Sequence, residues 1–286
     1  MDDSNDLFSG LPLELKAGQA EILGEQDVST LSHYCDLNAL HSVLTNNQLW
    51  ASNIQFMNDE LEMEYGIEVA RGIVKDYLKG GAKPNVMTYR RLRNDIPDVY
   101  ACCFCVDPDL LSQWRGYGLS KQSVSIQFDR QRLSDFAKKY SADLVNIIYG
   151  ASDARQLYEG LATEGSILTY YRELQGKMEG LNATALEKNL ILQAAARIKD
   201  PSFREEAEWR IVAHGGQREL HFRPKEHLLV PYIKIGDPET ALPVLGITVG
   251  PGKDVDLTIK SIEKFLASSS FYGNVPVVRS GVPFRS

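Results

Sequence analysis

The chain has 286 residues, 43% of them hydrophobic and 24% charged, and a formal net charge of −7. That is enough apolar material for one sizeable core. The acidic balance argues against an extended phosphate-binding surface, and no apolar run reaches the length that spans a bilayer.

The first residues, Met1-Asp2-Asp3-Ser4-Asn5-Asp6, are acidic and lack the basic and apolar regions of a signal peptide, so a cytoplasmic location with no membrane contact is expected. Residues 1–28 read as a peripheral arm, and 29–286 as a single α+β domain with a mixed or antiparallel β core. Thr30–Cys35 predicts a strand, Asp36 an N-cap, and Leu37, Leu40, Val43 and Leu44 a helix that frays at Asn46-Asn47. Leu49–Ser52 predicts a second strand. From Asn58-Asp59 a longer helix is expected, with Leu61, Tyr65, Val69, Ile73 and Tyr77, and Gly66, Ala70, Val74 and Leu78 beside them, on one broad apolar face, ending in a loop at Lys79–Pro84. Strands are expected at Val99–Val106, Ser123–Phe128 and Leu144–Tyr149. Residues 154–200 read as a helical insertion without strand signal, a surface that suits a protein partner. Strands resume at Glu206–Ala213, Glu219–Phe222, Leu228–Ile235, Val244–Val249 and Val275–Val278, with a helix at Leu257–Ala267.

Cys102, Cys103 and Cys105 lie in one apolar stretch, at a spacing unlike a zinc site, and read as small buried hydrophobes of a reducing compartment. No metal is expected. Three clusters carry more chemistry. The first is His33 and Tyr34, with Asn58 and Asp59 downstream; strand alternation sends His33 and Tyr34 to opposite faces, so one pocket can use only one of them. The second is Trp114-Arg115-Gly116-Tyr117-Gly118, where rings could stack on a base, Arg115 could meet a phosphate, and glycines admit close approach. The third is Glu206-Ala207-Glu208-Trp209-Arg210. Read as one strand, it puts both carboxylates and Arg210 on one face, with Ala207 and Trp209 on the other. Two carboxylates so placed could hold a sugar hydroxyl and polarise a nucleophile, with Arg210 keeping a neighbour ionised.

These clusters, in this order, resemble the bacterial domain-of-unknown-function family 2971. The resemblance is carried by His33-Tyr34, Leu49-Trp50-Ala51-Ser52, Asn58-Asp59 with Glu62, Phe104-Cys105, Leu111 to Tyr117, Val124 to Asp129, Glu206 to Arg210 and the tail Val278 to Arg285. Cys105 stands where that family more often has Ser. A second resemblance, in layout, is to ADP-ribosyltransferases: a strand with His, a helix, a short strand with a small polar residue, and a late strand with Glu. It implies that His33 holds a ribose of NAD and that Tyr117 or Trp114 stacks on nicotinamide. Glu208, beside Glu206, would then stabilise the cation-like transition state. Neither Ser52 nor Ser125 is placed as the second-motif residue. The expected function is therefore NAD consumption, by ADP-ribosyl transfer or hydrolysis, with the acceptor open among protein, nucleic acid and water. A bacterial toxin or anti-phage defence effector is one setting for such chemistry. The alternatives are a non-catalytic nucleotide- or partner-binding module of a defence system, and a metal-dependent nuclease using Asp59, Glu62, Glu206 and Glu208.

Overall fold

The structure is a computed structural model that describes residues 28–57, 60–77, 98–117, 122–160, 191, 194–214, 218–225 and 227–283. The chain opens with β1 (Thr30–Asp36), α1 (Leu37–Asn46) and β2 (Gln48–Asn53), followed by α2 (Glu60–Tyr77). Asp36 caps α1 as expected, accepting the Ala39 amide at 2.8 Å. Next come β3 (Val99–Cys105), α3 (Leu111–Tyr117), β4 (Ser123–Asp129) and α4 (Arg130–Lys139), then β5 (Asp143–Asn146), β6 (Ile148–Tyr149) and α5 (Ala151–Gly160). The last part holds β7 (Ile198–Lys199), β8 (Glu208–His214), β9 (His221–Lys225), β10 (Leu228–Gly236), β11 (Val244–Val249), α6 (Val255–Ala267) and β12 (Val277–Arg279).

The fold is mixed α/β around a mostly antiparallel open sheet, in the order β12-β11-β4-β1-β3-β2-β10-β9, with β8 and β5 branching off β3. The branch comes from how β3 spends its two edges. One edge pairs with β8 along all of Val99–Cys105. The other is shared: Tyr100 and Ala101 pair with β2, and Cys105 pairs with Ser32 of β1. Strands β1 and β2 thus leave β3 at opposite ends and the sheet divides into two arms. Parallel pairing occurs between β11 and β12 and between the short β6 and β7.

Alternation along the strands sorts the two faces. Leu31, Cys35, Phe104, Ile126, Trp209 and Ile211 share one buried cluster with Leu40, Val43 and Leu44 of α1, Leu133 and Phe136 of α4, and Ile262 and Leu266 of α6. This is the core face. Helix α4 rests on Asp129, whose carboxylate accepts the Arg132 amide at 2.8 Å.

The apolar face of α2 is buried at Gly66, Ala70 and Ile73 as expected and extends to Met63 and Ile67, with Tyr65 and Val69 half-buried at its margin. A Cβ at Gly66 would lie 2.6 Å from the Ala195 carbonyl oxygen, so only glycine lets α2 approach that backbone. Several sequence expectations are corrected. The expected strand 144–149 is two pieces in different sheets, broken at Ile147, whose amide donates to the Glu208 carbonyl. The stretch read as a strandless helical insertion contains β7, with α5 at its start; residues 161–190 lie outside the described residues. Strand β8 starts at Glu208, because Ala207 takes φ +40° and Pro201–Glu206 forms a 3-10 helix. Glu206 is therefore not on the strand.

Where α1 meets β10, Asn47 at φ +52° donates to the Pro238 carbonyl at 2.7 Å and accepts from the Tyr272 hydroxyl. Gly236 sits against it at φ +120°, where a Cβ would strike the Asn47 carbonyl oxygen and approach Phe136 to 2.9 Å. Gly236→Ala is expected to cost about 2 kcal/mol or more through strain and clash together. Urea unfolding reads this directly, and a loss within error of zero would contradict the geometry.

Candidate functional site

The register separates the two residues on which the ribose-holding arrangement depends. Ser32 pairs with Cys105, and Cys105 with Glu208, so these three side chains project from one face. His33, one residue on, projects from the core face, where its ring lies 5.6 Å from Phe104 and its Nδ1 is 3.8 Å from the Cys102 sulfur. His33 and Glu208 therefore do not surround one ligand. His33 has a different task at the fork. Its Nδ1 donates to the Cys103 carbonyl at 2.8 Å, on the stretch of β3 between the residues claimed by β1 and β2. Burial lowers its pKa, against the pull of that carbonyl, and Arg223 lowers it further, so the imidazole is neutral near pH 7.

The opposite face gathers most of the other candidates. Glu208 is 4% exposed and accepts Arg210 Nε at 2.6 Å on Oε1, and Arg210 Nη2 at 3.0 Å and Lys199 Nζ at 2.9 Å on Oε2. Burial alone would raise the carboxyl pKa; Arg210 and Lys199 outweigh it and hold it down at about 2. Lys199 also donates to Glu206 Oε2 at 2.7 Å. The two carboxylates thus meet at a lysine of β7 rather than along one strand. Arg210 continues to the Ala196 carbonyl at 3.1 Å, fastening residues 194–199 over this face.

Beside this ion cluster, Cys105 packs with Tyr34 and Trp114. The Tyr34 hydroxyl donates to the Asp107 carbonyl and accepts the Leu110 amide, both at 2.8 Å, and its ring meets Trp114 edge-on at 4.7 Å. Trp114 is fully buried and donates to Asp109 at 2.7 Å. The same carboxylate accepts the Gly281 amide and the Ser280 hydroxyl, tying the C-terminal stretch to α3. Both rings are thus used internally and offer no free stacking face. Arg115 is exposed on α3, and Tyr117 ends that helix. Asn58 and Asp59 lie outside the described residues.

Sequence reasoning weighed Ser125 but missed the row of hydroxyls to which it belongs on the same face. Ser32, Ser123 and Ser125 are at most 1% exposed, and among the described residues their hydroxyl oxygens have no hydrogen-bond partner. Ser32 lies between Gln127 and Cys105, and Ser125 between Tyr34 and Thr248. Two strand spacings, about 10 Å, separate Ser32 from Glu208. The available signal was the Ser123-x-Ser125 alternation, matched by Ser32 and Tyr34 on β1. Lys199 gave no signal, standing in a segment read as helix. A cavity of 210 Å³ opens nearby, but it is lined by Val28, Val106, Tyr149, Arg204 and Trp209, not by Glu208. Among the described residues, no group of three or more His, Cys, Asp or Glu is arranged to hold a metal, and no helix is long and apolar enough to cross a membrane.

Glu208→Gln is expected to cost about 3–5 kcal/mol, since it leaves Arg210 and Lys199 buried against a neutral amide. Glu206→Gln, at the wetter end, should cost about 1 kcal/mol or less. The folded Glu208 carboxyl titrates below its ordinary value of 4.5, so its contribution is complete above that pH and is lost as pH falls toward 2. Urea midpoints across acid pH should show wild type and Glu208→Gln converging.

Comparison with curated proteins and with solved structures returned no match. Residues 113–211, from α3 to β8, match a family model described as Protein of unknown function (DUF2971), the family that the chain resembles in sequence.

Proposed function

We propose that the chain binds a nucleotide-type small molecule, of the class that includes NAD and ADP-ribose, on the face that carries Ser32, Ser125 and Glu208. The row of buried serine hydroxyls that find no partner among the described residues is the observation that carries this reading. A hydroxyl removed from water and left unpaired costs about 1–3 kcal/mol. A ligand rich in hydroxyl and phosphate oxygens would give three such groups their bonds at once. Lys199 and Arg210 supply positive charge two strands away, where Glu206, the more exposed carboxylate, can accept from a ribose.

An ADP-ribosyltransferase-like arrangement is supported by the split sheet, in which β1 and β2 diverge from one central strand. Binding without turnover is the better supported form of the proposal. Both Glu208 oxygens are already engaged, and His33 belongs to the other face. Cleavage of NAD is favoured by one observation: two carboxylates meet on Lys199, and Glu206 is the more accessible of them.

A thermal melt with NAD and with ADP-ribose separates these readings. Ligand at a hundred times its Kd should stabilise by about 2.7 kcal/mol. Ser32→Ala and Ser125→Ala should leave the unliganded protein as stable or up to about 1 kcal/mol more so, and abolish the ligand shift. A shift that survives both substitutions, or no shift with either ligand, removes the proposal. Release of free nicotinamide, lost in Glu206→Gln with the melt unchanged, would add catalysis.

A further inference from the structure

The arm built from β2, β10 and β9 carries a different chemistry. Register places Trp50 and Ser52 of β2, Tyr232 and Lys234 of β10, and His221, Arg223 and Lys225 of β9 on one face, away from the core. Trp50 and Tyr232 stack with centroids 4.9 Å apart and planes 29° apart. His221 extends the series, 5.4 Å from Tyr232 at 32°. Three rings therefore run in a row across three strands, each tilted by about 30° to the next, with buried Tyr232 between half-buried Trp50 and His221 at the ends.

Cations surround them. Lys234, Arg223 and Lys225 are exposed, and Arg223 spends one Nη on the Ser52 hydroxyl at 2.9 Å. Among the described residues, Glu219 brings an acid to this side, 3.7 Å from His221 Nε2 and itself 85% exposed. A chain of net charge −7 thus concentrates positive charge and aromatic rings in one place.

We propose that this face binds single-stranded nucleic acid, with bases stacking on the ends of the ring row and phosphates lying against Lys234, Arg223 and Lys225. Stacking accepts any base, because each has a π face, and the phosphate term is independent of sequence. A duplex hides its base faces and could use only the cations. An acidic peptide could likewise use the cations but not the rings. The surface is separate from the serine row, so neither proposal depends on the other.

The test is fluorescence anisotropy of labelled oligothymidylate and oligouridylate over a range of salt, with the whole chain. The double variant Lys234→Glu/Arg223→Glu should bind at least about tenfold more weakly, and the slope of log K against log salt should shrink by about 1.4 for two lost phosphate contacts. Trp114 and Trp209 are buried, so quenching of tryptophan emission on binding should come from Trp50 and be lost in Trp50→Phe. Preference for thymidylate or uridylate assigns the natural strand. The proposal falls if neither strand binds, or if the double variant binds as wild type with an unchanged melt. It also falls if duplex DNA or polyglutamate competes as well as the single strands.

Discussion

A strand has two edges, and β3 has three strands to serve with them. Its pairing with β8 uses one edge along its full length, so β1 and β2 must divide the other. Backbone groups between them still need partners, because an unpaired buried peptide group costs as much as a lost hydrogen bond. His33 answers that need at Cys103 with a ring nitrogen. The fork then separates a β1–β4–β11 arm, whose far face is lined by small hydroxyls, from a β2–β10–β9 arm, whose far face carries rings and cations.

This geometry explains why an early histidine and a late glutamate, both attractive as ligand groups, do not cooperate. The pleat sends neighbouring residues to opposite faces, and the pairing of Ser32 with Cys105 and Glu208 decides which neighbour goes where. Tyr34, not His33, shares a face with the ion cluster. The requirement that only one of the pair could enter a pocket was legible in the sequence; the choice between them was not, because it is a matter of register.

The ion cluster shows a similar limit. Glu208 and Arg210 were legible as partners, being two residues apart on a strand. Glu206 was misassigned because nothing local announced that Ala207 would turn left-handed and release the residue before it. The third member, Lys199, comes from a two-residue strand held by parallel pairing to β6 and by contact with α2, a placement set by distant partners. Net charge misleads in the same way. It sums over the chain, whereas a ligand meets only the residues that a sheet face collects, and β9 and β10 collect cations.

The sequence by itself determined the kinds and order of most elements. Alternating and helical periods, with Asp36 as a cap, are local properties written into neighbouring residues. It also determined the family resemblance, which needs only motif order. The tertiary structure alone decided which strands share an edge, which face each polar side chain joins, and how closely α2 approaches the Ala195 backbone. Those outcomes depend on hydrogen bonds and close contacts between residues far apart in the chain, and no window of neighbouring residues contains them.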